Sequence, residues 1–343
     1  MGRLQGKRAL LMGLNYLGTE NELGGCINDA RNLRTLLVER FAYRQSEITE
    51  MTDEAEDHRN VPTRANIEAA MERLLDGVER DNVAELWISF SGHGSHIADD
   101  ASGSGAGAGD ERDGRDETLV PLDYAESGMI LDDQWKTYLH RIPPSCKVFC
   151  LFDCCHSGTM GDLPFAYDYV ERPPRRRAVY RYRRMTVRGR FRWRRVREWE
   201  TVPGKLQWRE TREKGEDKKN VQNAASSDSD DSRDGAESAE NAEDISGETP
   251  VNNVVTLSGC RDPQTSADVY SVERKAWGGA LTDAFIEVIN TCHTTLSCTD
   301  LCRQLYDILI QKEMSQRPVL CSSNRITKDR IFFRHEEDCC IAT

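Results

Sequence analysis

The chain has 343 residues, 38% of them hydrophobic, which is enough for one sizeable core or two modest ones. Its formal net charge of −12 argues against non-specific nucleic-acid binding by the whole molecule, because a phosphate backbone is attracted to a positive field. No apolar run approaches the roughly 20 residues that cross a bilayer, and the N-terminus lacks a secretory pattern, so we expect a cytoplasmic protein with reduced cysteines.

Short apolar runs alternate with helical patterns along the chain. Buried strands are predicted over residues 8–14, 83–90, 147–152 and 253–257, and a last short strand over 330–334. Helices are predicted over residues 28–39, 63–78, 278–290 and 299–312. The first helix is expected to begin with Asn28 as its cap, and the second behind Pro62 and Thr63. This alternation predicts an α/β fold, with helices covering both faces of a mostly parallel sheet.

The composition changes sharply after Tyr169. Arginines alternate with aromatic residues over 172–197, without an acidic residue, whereas 226–248 is rich in Ser, Asp, Glu, Ala and Gly. The second stretch is predicted to be disordered, because it has no hydrophobic mass to offset its ordering entropy. For the first stretch two hypotheses stay open: a basic β-ribbon, or a flexible arm that pairs with the acidic stretch or binds nucleic acid. A glycine-rich stretch, 101–109, lacks the ending of a phosphate-binding loop.

Two motifs follow two of the predicted strands. LWISFSGHG places His93 after one strand, and VFCLFDCCHSG places Cys154, Cys155 and His156 after the next. The carboxyl ends of neighbouring parallel strands share one edge, so His93 and a cysteine would face each other there if these two strands are neighbours. A thiolate nucleophile, with a histidine that takes and returns its proton, is the pair that acyl transfer needs. The N–H of Gly94 and that of the nucleophile would hold the developing oxyanion.

Together with LSGC and WGGALT, these motifs resemble those of the metacaspases, in the order of the type I form. The resemblance implies a monomeric, three-layer sandwich of caspase type. It implies a cysteine endopeptidase with Cys155 as nucleophile and His93 as its partner, and a structural role for Cys154. It also divides the chain into a large-subunit-like region over 1–171, an insert over 172–249 and a small-subunit-like region over 250–343. A catalytically silent scaffold with this fold is the alternative.

The same resemblance assigns four residues to the pocket for the side chain that precedes the cut: Cys26, Asp29, Ser91 and Asp153. Carboxylates in a narrow pocket attract a guanidinium or ammonium group. Protein or peptide substrates with Arg or Lys are therefore expected. Without the resemblance, Asp29 would be interpreted as an ordinary acid in the first turn of a helix.

A calcium site is implied by the resemblance as well, formed by Asp116, Asp132, Asp133 and Asp162. Loop carboxylates are the usual ligands of calcium, although the spacing here is not that of an EF-hand. From the residues alone, a solvated acidic loop is the simpler interpretation. Bound calcium would order the loop that follows the nucleophile.

Two further expectations concern processing and the C-terminus. Self-cleavage is expected in the more flexible half of the insert, at Lys205, Lys214, Lys218 or Lys219. The last four residues, from Cys340, fit a prenylation pattern, but their acidic neighbours do not favour it. Membrane attachment is expected only if Cys340 is prenylated.

Overall fold

A computed structural model describes residues 6–98, 115–154, 163–172, 175–187, 190–202, 205–212, 253–259, 268–271, 276–327 and 330–333. The strands are β1 (Gly6–Gly13), β2 (Ile48–Thr52), β3 (Val83–Ser91), β4 (Gly94–Ala98), β5 (Arg115–Leu119), β6 (Ile130–Leu131), β7 (Lys147–Asp153), β8 (Phe165–Arg172), β9 (Arg175–Val187), β10 (Arg190–Val202), β11 (Lys205–Arg212), β12 (Val254–Ser258), β13 (Asp268–Ser271), β14 (Ala276–Gly279), β15 (Leu296–Ser297), β16 (Val319–Ser322) and β17 (Ile331–Phe333). The α-helices are α1 (Cys26–Arg40), α2 (Arg64–Asp81), α3 (Tyr124–Ser127), α4 (Asp132–His140), α5 (Ala280–Thr291) and α6 (Cys298–Gln311). Two short 3₁₀ helices span Gln45–Glu47 and His58–Asn60.

A central sheet has the strand order β2-β1-β3-β7-β12-β16-β8-β11. The five strands from β2 to β12 run parallel, and the last three are each antiparallel to their neighbour. The inner parallel strands β1, β3, β7 and β12 are largely apolar, as in VFCLF of β7, because both of their faces are buried. The edge strand β2, with the sequence ITEMT, is more polar and only partly buried. The mostly parallel sheet predicted from the sequence is confirmed.

Alternate side chains of the sheet enter two separate cores. In β7, Cys150 and Phe152 pack on one face, against α2 and α4. Phe149 and Leu151 pack on the other face, against α1, α5 and α6. This period of two is the ordinary geometry of a strand, and it produces the predicted three layers. No helix among the described residues is long and apolar enough to cross a membrane.

The starts of the first two long helices test the two predicted caps. Thr63 caps α2 as expected, because its side chain accepts a hydrogen bond from the N–H of Asn66 at 3.3 Å. Asn28 does not cap α1: the helix begins at Cys26 and its N-cap is Gly25, which makes no side-chain cap. A Cβ at Gly25 would lie only 2.6 Å from the Cα of Gly278, so a long-range contact fixes where this helix starts.

The arginine-rich stretch forms a ribbon over the residues that the structure describes. β9 and β10 pair antiparallel along their whole length, from Arg175 opposite Val202 to Val187 opposite Arg190. The flexible arm is therefore wrong for 175–187 and 190–202. The acidic stretch 226–248, the glycine-rich stretch 101–109 and Cys340 lie outside the described residues.

β11 lies in the segment that the sequence assigned to the insert. It pairs antiparallel with β8 and forms one edge of the central sheet. Trp208 stacks on Tyr167, with ring centroids 5.3 Å apart and planes 6° from parallel, and the guanidinium of Arg209 binds Asp168. The β9–β10 ribbon is thus an excursion between two paired strands of the sheet.

Candidate active site

The two motif-bearing strands, β3 and β7, are neighbours in the sheet, which meets the condition for His93 and a cysteine to share one edge. Ser91 is paired with Asp153, and the N–H of Gly92 reaches the carbonyl of Asp153 at 3.5 Å. Along the sequence, His93 follows Ser91 by two residues, and Cys155 follows Asp153 by two. Cys155 lies outside the described residues, so its role as nucleophile remains a prediction.

Tyr16 holds the backbone and the ring of His93. Its hydroxyl accepts a hydrogen bond from the N–H of His93 at 2.9 Å and donates one to the carbonyl of Val120 at 2.7 Å. The two rings lie 4.7 Å apart. Burial raises the pKa of Tyr16 well above its usual value, so the hydroxyl keeps the proton that it donates. A Cβ at Gly92 would lie 2.9 Å from the same hydroxyl, which explains the glycine before the histidine.

A main-chain carbonyl sets the tautomer of the half-buried His93. Its Nε2 lies 2.8 Å from the carbonyl oxygen of Asn21. A carbonyl oxygen only accepts hydrogen bonds, so Nε2 carries the hydrogen and the neutral ring has its lone pair at Nδ1. His93 therefore presents Nδ1 as the base.

The loop that carries Asn21 is anchored by a carboxylate that the sequence analysis missed. Asp53 accepts hydrogen bonds from the N–H of Asn15 at 3.0 Å and of Leu17 at 3.1 Å, directly after β1. The side chain of Asn15 in turn accepts from the N–H of Ile27 in α1. Asp53 thus connects the turn after β2 to the loop that orients the histidine ring.

Beside this edge lies a group of buried carboxylates. Asp29 is fully buried, and its oxygens lie 3.1 and 3.0 Å from the N–H of Gly279. The side chain of Ser91 also hydrogen-bonds to Asp29. Asp153 is buried as well, and its Oδ2 accepts from the N–H of Thr282 at 2.8 Å. Burial, and then the negative charge of Asp153, raise the pKa of Asp29 well above its usual value.

A third carboxylate, Asp283, belongs to this group and was not predicted. It is buried in the first turn of α5, and its charge also raises the pKa of Asp29. A Cβ at Gly278 would lie 2.7 Å from Asp283 and 3.1 Å from Asp29, while one at Gly279 would overlap Asp153. The paired glycines are therefore needed so that three carboxylates can approach one backbone. The available signal was the acid that directly follows WGGALT.

The other predicted residues of this region lie as follows. Cys26 is buried at the first residue of α1, and Ser91 is buried at the last residue of β3. Gly94 begins β4 and is paired with Leu119. Cys154 is fully buried in the core that contains α2 and α4. The structure thus brings Asp29, Ser91 and Asp153 together.

Known proteins are similar to this chain in sequence and in architecture. A family model described as "Metacaspase, peptidase C14 domain" matches residues 7–164. The chain is 34% identical over 339 residues to Metacaspase-1 of Mycosarcoma maydis, which covers 96% of this chain and 73% of that protein. The chain belongs to the metacaspase family. The family makes it a caspase-like cysteine peptidase, and the resemblance of its motifs to this family is confirmed.

Other relatives agree with this assignment. Metacaspase-1 of Schizosaccharomyces pombe is 36% identical over 322 residues, covering 93% of this chain and 68% of the relative. Metacaspase-1 of Cryptococcus neoformans is 32% identical over 329 residues, and the match covers 95% of this chain and 64% of the relative. Among solved structures, protein GSU0716 from Geobacter sulfurreducens has a TM-score of 0.50 at 19% identity, covers 97% of this chain and 100% of that chain, and supports the fold alone. Caspase-1 from Spodoptera frugiperda aligns with a TM-score of 0.48 at 11% identity.

In this metacaspase, the four residues expected to bind calcium are only partly described. Asp132 and Asp133 begin α4, where their charge suits the helix N-terminus, and Asp132 is buried. β5 and β6 pair with Thr118 opposite Leu131, which brings the backbone of Asp116 close to the start of α4. The side chain of Asp116 and the whole of Asp162 lie outside the part of the chain that the structure describes. Among the described side chains, no three His, Cys, Asp or Glu residues are grouped so as to hold a metal.

The expected self-processing sites fall mostly outside the described residues, as Lys214, Lys218 and Lys219 do. Lys205 was expected in a flexible segment, but it is the first residue of β11, where its backbone is paired with Arg172. A paired strand must separate from its neighbour before it can enter a peptidase cleft. Cleavage at Lys205 is thus less favourable than the sequence suggested.

Proposed function

We propose that this chain is a cysteine endopeptidase that cuts peptide bonds after Arg or Lys, with Cys155 as nucleophile and His93 as base. The observation that carries the proposal is the histidine, held by a carbonyl at Nε2 so that its lone pair is at Nδ1, at the same sheet edge as a buried group of carboxylates. Family membership and this geometry support the catalytic half of the proposal. The proposed preference for basic residues rests on the buried carboxylates beside His93.

The reaction follows the usual course of acyl transfer. His93 Nδ1 takes the proton of the Cys155 thiol, and the thiolate attacks the carbonyl carbon of the scissile bond. The N–H of Gly94 supports the resulting oxyanion. When this intermediate collapses, the C–N bond breaks and the leaving amine takes the proton from His93. The acyl group then remains on Cys155 as a thioester. Water, deprotonated by His93, then hydrolyses the thioester and regenerates the thiol.

The buried carboxylates support selection of a cation. Burying Asp29 beside Asp153 and Asp283 disfavours the ionised state, which is why the pKa of Asp29 is raised. A guanidinium or ammonium group that enters among them offsets this cost by direct charge pairing. An acidic substrate side chain would add a further like charge. Arg and Lys are therefore favoured before the cut, and Asp is disfavoured.

We also propose that calcium activates the enzyme through Asp116, Asp132, Asp133 and Asp162. The donor set is all carboxylate, as a hard cation prefers, and the pairing of β5 with β6 supports a common location for three of the four. Asp133→Ala should raise the calcium concentration needed for half-maximal activity at least tenfold. Parent activity that is the same in excess chelator as in calcium would discard this part of the proposal.

Self-processing in the insert, by a monomer, completes the proposal. The alternating basic residues between β8 and the acidic stretch supply cleavage points for an Arg/Lys peptidase. Intact-mass measurement before and after calcium addition, with Cys155→Ala as control, tests it. Fragments that end after Lys214, Lys218 or Lys219 are expected in the parent alone.

Fluorogenic peptides with Arg, Lys or Asp before the cut test the main proposal. We expect kcat/KM at least about 100-fold higher for Arg than for Asp, and no hydrolysis by Cys155→Ala. Asp153→Asn should lower kcat/KM for Arg peptides, whereas Asp81→Asn, a surface change, should not. Equal rates for Arg and Asp peptides would contradict the specificity. A folded protein that hydrolyses none of the peptides would favour the silent scaffold.

A further inference from the structure

The β9–β10 ribbon sorts its side chains by face. Cross-strand partners share a face, and the pairs Tyr180–Arg197 and Ala178–Trp199 are on the same one, as are Arg176 and Arg195 by the same register. The glutamates of β10 are on the opposite face, where Glu198 is opposite Val179 and lies 3.5 Å from Arg181. One face therefore combines arginines with large aromatic rings, without an acid among its described side chains.

The arginines and rings of this face, which we call the Arg/aromatic face, are stacked on one another. The guanidinium of Arg195 lies 3.9 Å from the ring centroid of Tyr180, and that of Arg197 lies 4.6 Å from the ring of Trp199. The guanidinium of Arg176 also lies over the ring of Trp199, 5.6 Å from its centroid. Tyr180 and Trp199 nevertheless remain 53% and 52% exposed. Large rings that are half exposed beside flat cations bury little area within the chain and are available to a ligand.

The charge of the ribbon indicates an anionic ligand. Residues 175–202 contain twelve arginines and two glutamates, within a chain whose net charge is −12. The positive field is therefore local, although the molecule as a whole repels polyanions. An acidic peptide, including the chain's own stretch 226–248, would satisfy the arginines but would make no use of exposed rings. A single nucleic-acid strand uses both, because its phosphates pair with arginine and its bases stack on rings and guanidinium planes.

We propose that the Arg/aromatic face of the β9–β10 ribbon binds single-stranded nucleic acid. This function is separate from peptide cleavage and uses none of the catalytic residues. Duplex DNA fits the face less well, because its bases are stacked on each other and cannot lie on Tyr180 or Trp199. Binding should weaken steeply with salt, with a slope of log K against log salt near −2 to −3 for three or four phosphate contacts.

The test is fluorescence anisotropy with the full chain carrying Cys155→Ser, so that the ribbon is not cut during the measurement. Labelled 20-residue oligouridine and oligothymidine strands, a duplex of the same length and a peptide of residues 226–248 are titrated at 50 and 200 mM salt. We expect the single strands to bind at least tenfold more tightly than the duplex and the peptide. Whether RNA or DNA binds better distinguishes the source of the strand.

Paired variants separate stacking from charge. Tyr180→Ala with Trp199→Ala removes the rings and no charge, and should weaken single-strand binding at least tenfold. Arg195→Gln with Arg197→Gln should also weaken it, while the matched control Arg59→Gln with Arg141→Gln, which removes two exposed arginines elsewhere, should not. No binding at 50 mM salt, tighter binding of the acidic peptide, or affinity unchanged after removal of both rings would each overturn the proposal.

Discussion

Replacing Tyr16 by Phe removes one hydroxyl and keeps the ring that packs on His93. That hydroxyl makes two hydrogen bonds, of 2.9 Å from the His93 N–H and 2.7 Å to the Val120 carbonyl. At about 1 kcal/mol for each bond, and somewhat more because the two main-chain groups are left partly buried, the free energy of unfolding should fall by about 2–3 kcal/mol. About half of this loss is expected to appear as poorer orientation of the imidazole, which corresponds to a roughly tenfold lower kcat.

The assay is a full kinetic profile with an Arg fluorogenic peptide, together with urea unfolding of the same samples. KM should stay near the parent value, because the two hydrogen bonds of the Tyr16 hydroxyl involve His93 and Val120 and not the buried carboxylates. Tyr43→Phe is the matched control: this tyrosine is equally buried, but it lies under Lys7, near the opposite end of β1. If Tyr16→Phe loses stability while kcat stays within twofold of the parent, or if Tyr43→Phe lowers kcat as much, the positioning role of Tyr16 is refuted.

Three further changes test the carboxylate group and the core. Asp29→Asn should raise the free energy of unfolding at pH 8 by about 1 kcal/mol while lowering Arg-peptide kcat/KM, because burial holds the pKa of Asp29 above its usual value. The folded state then binds more protons than the unfolded state, so the parent loses stability as the pH rises above the ordinary pKa of an aspartate. The gain in stability from the substitution should therefore shrink toward pH 4. A gain that is independent of pH would contradict the raised pKa of Asp29. Gly279→Ala should raise KM for Arg peptides at least tenfold, because the added methyl group overlaps the carboxylates. The control Gly77→Ala lies in α2 with open space around it, so it should change stability by at most about 1 kcal/mol and leave KM unchanged. Leu305→Ala should cost about 2–5 kcal/mol in urea unfolding by opening a cavity, and an unchanged midpoint would contradict its burial in the core.

The inner parallel strands β1, β3, β7 and β12 were predictable because they are largely apolar on both faces. The parallel edge strand β2 was not predicted, because its sequence ITEMT mixes apolar with polar residues and is only partly buried. β3 and β7 differ from the predicted ranges by one residue at one end. β11 was missed because its alternation, KLQWRETR, stands in a charged context and only its pairing with β8 explains it. β16 is four residues long, too short for a periodic signal to emerge. Contacts between distant segments, not local pattern, decided these elements.

The site divides in the same way. His93 could be found from its motif, and Asp29 and Asp153 from the resemblance of their motifs to those of the metacaspases. From the residues alone, Asp29 would have been interpreted as an ordinary acid in the first turn of a helix. The carbonyl of Asn21 could not, because every residue has one and only the fold decides which carbonyl meets the imidazole. Tyr16 is similar: its positive φ of 53° and its reach to Val120 depend on the loop after β1.

Covalent labelling tests the central claim most directly. A peptide chloromethyl ketone with Arg at the position before the cut reacts with a thiolate activated by a neighbouring histidine and held beside a pocket for a cation. Intact and peptide mass spectrometry should place one adduct on Cys155 of the parent, and His93→Ala should slow its formation at least 100-fold. An adduct on Cys154 or another cysteine, or labelling of Cys155 at an equal rate without His93, would contradict the account.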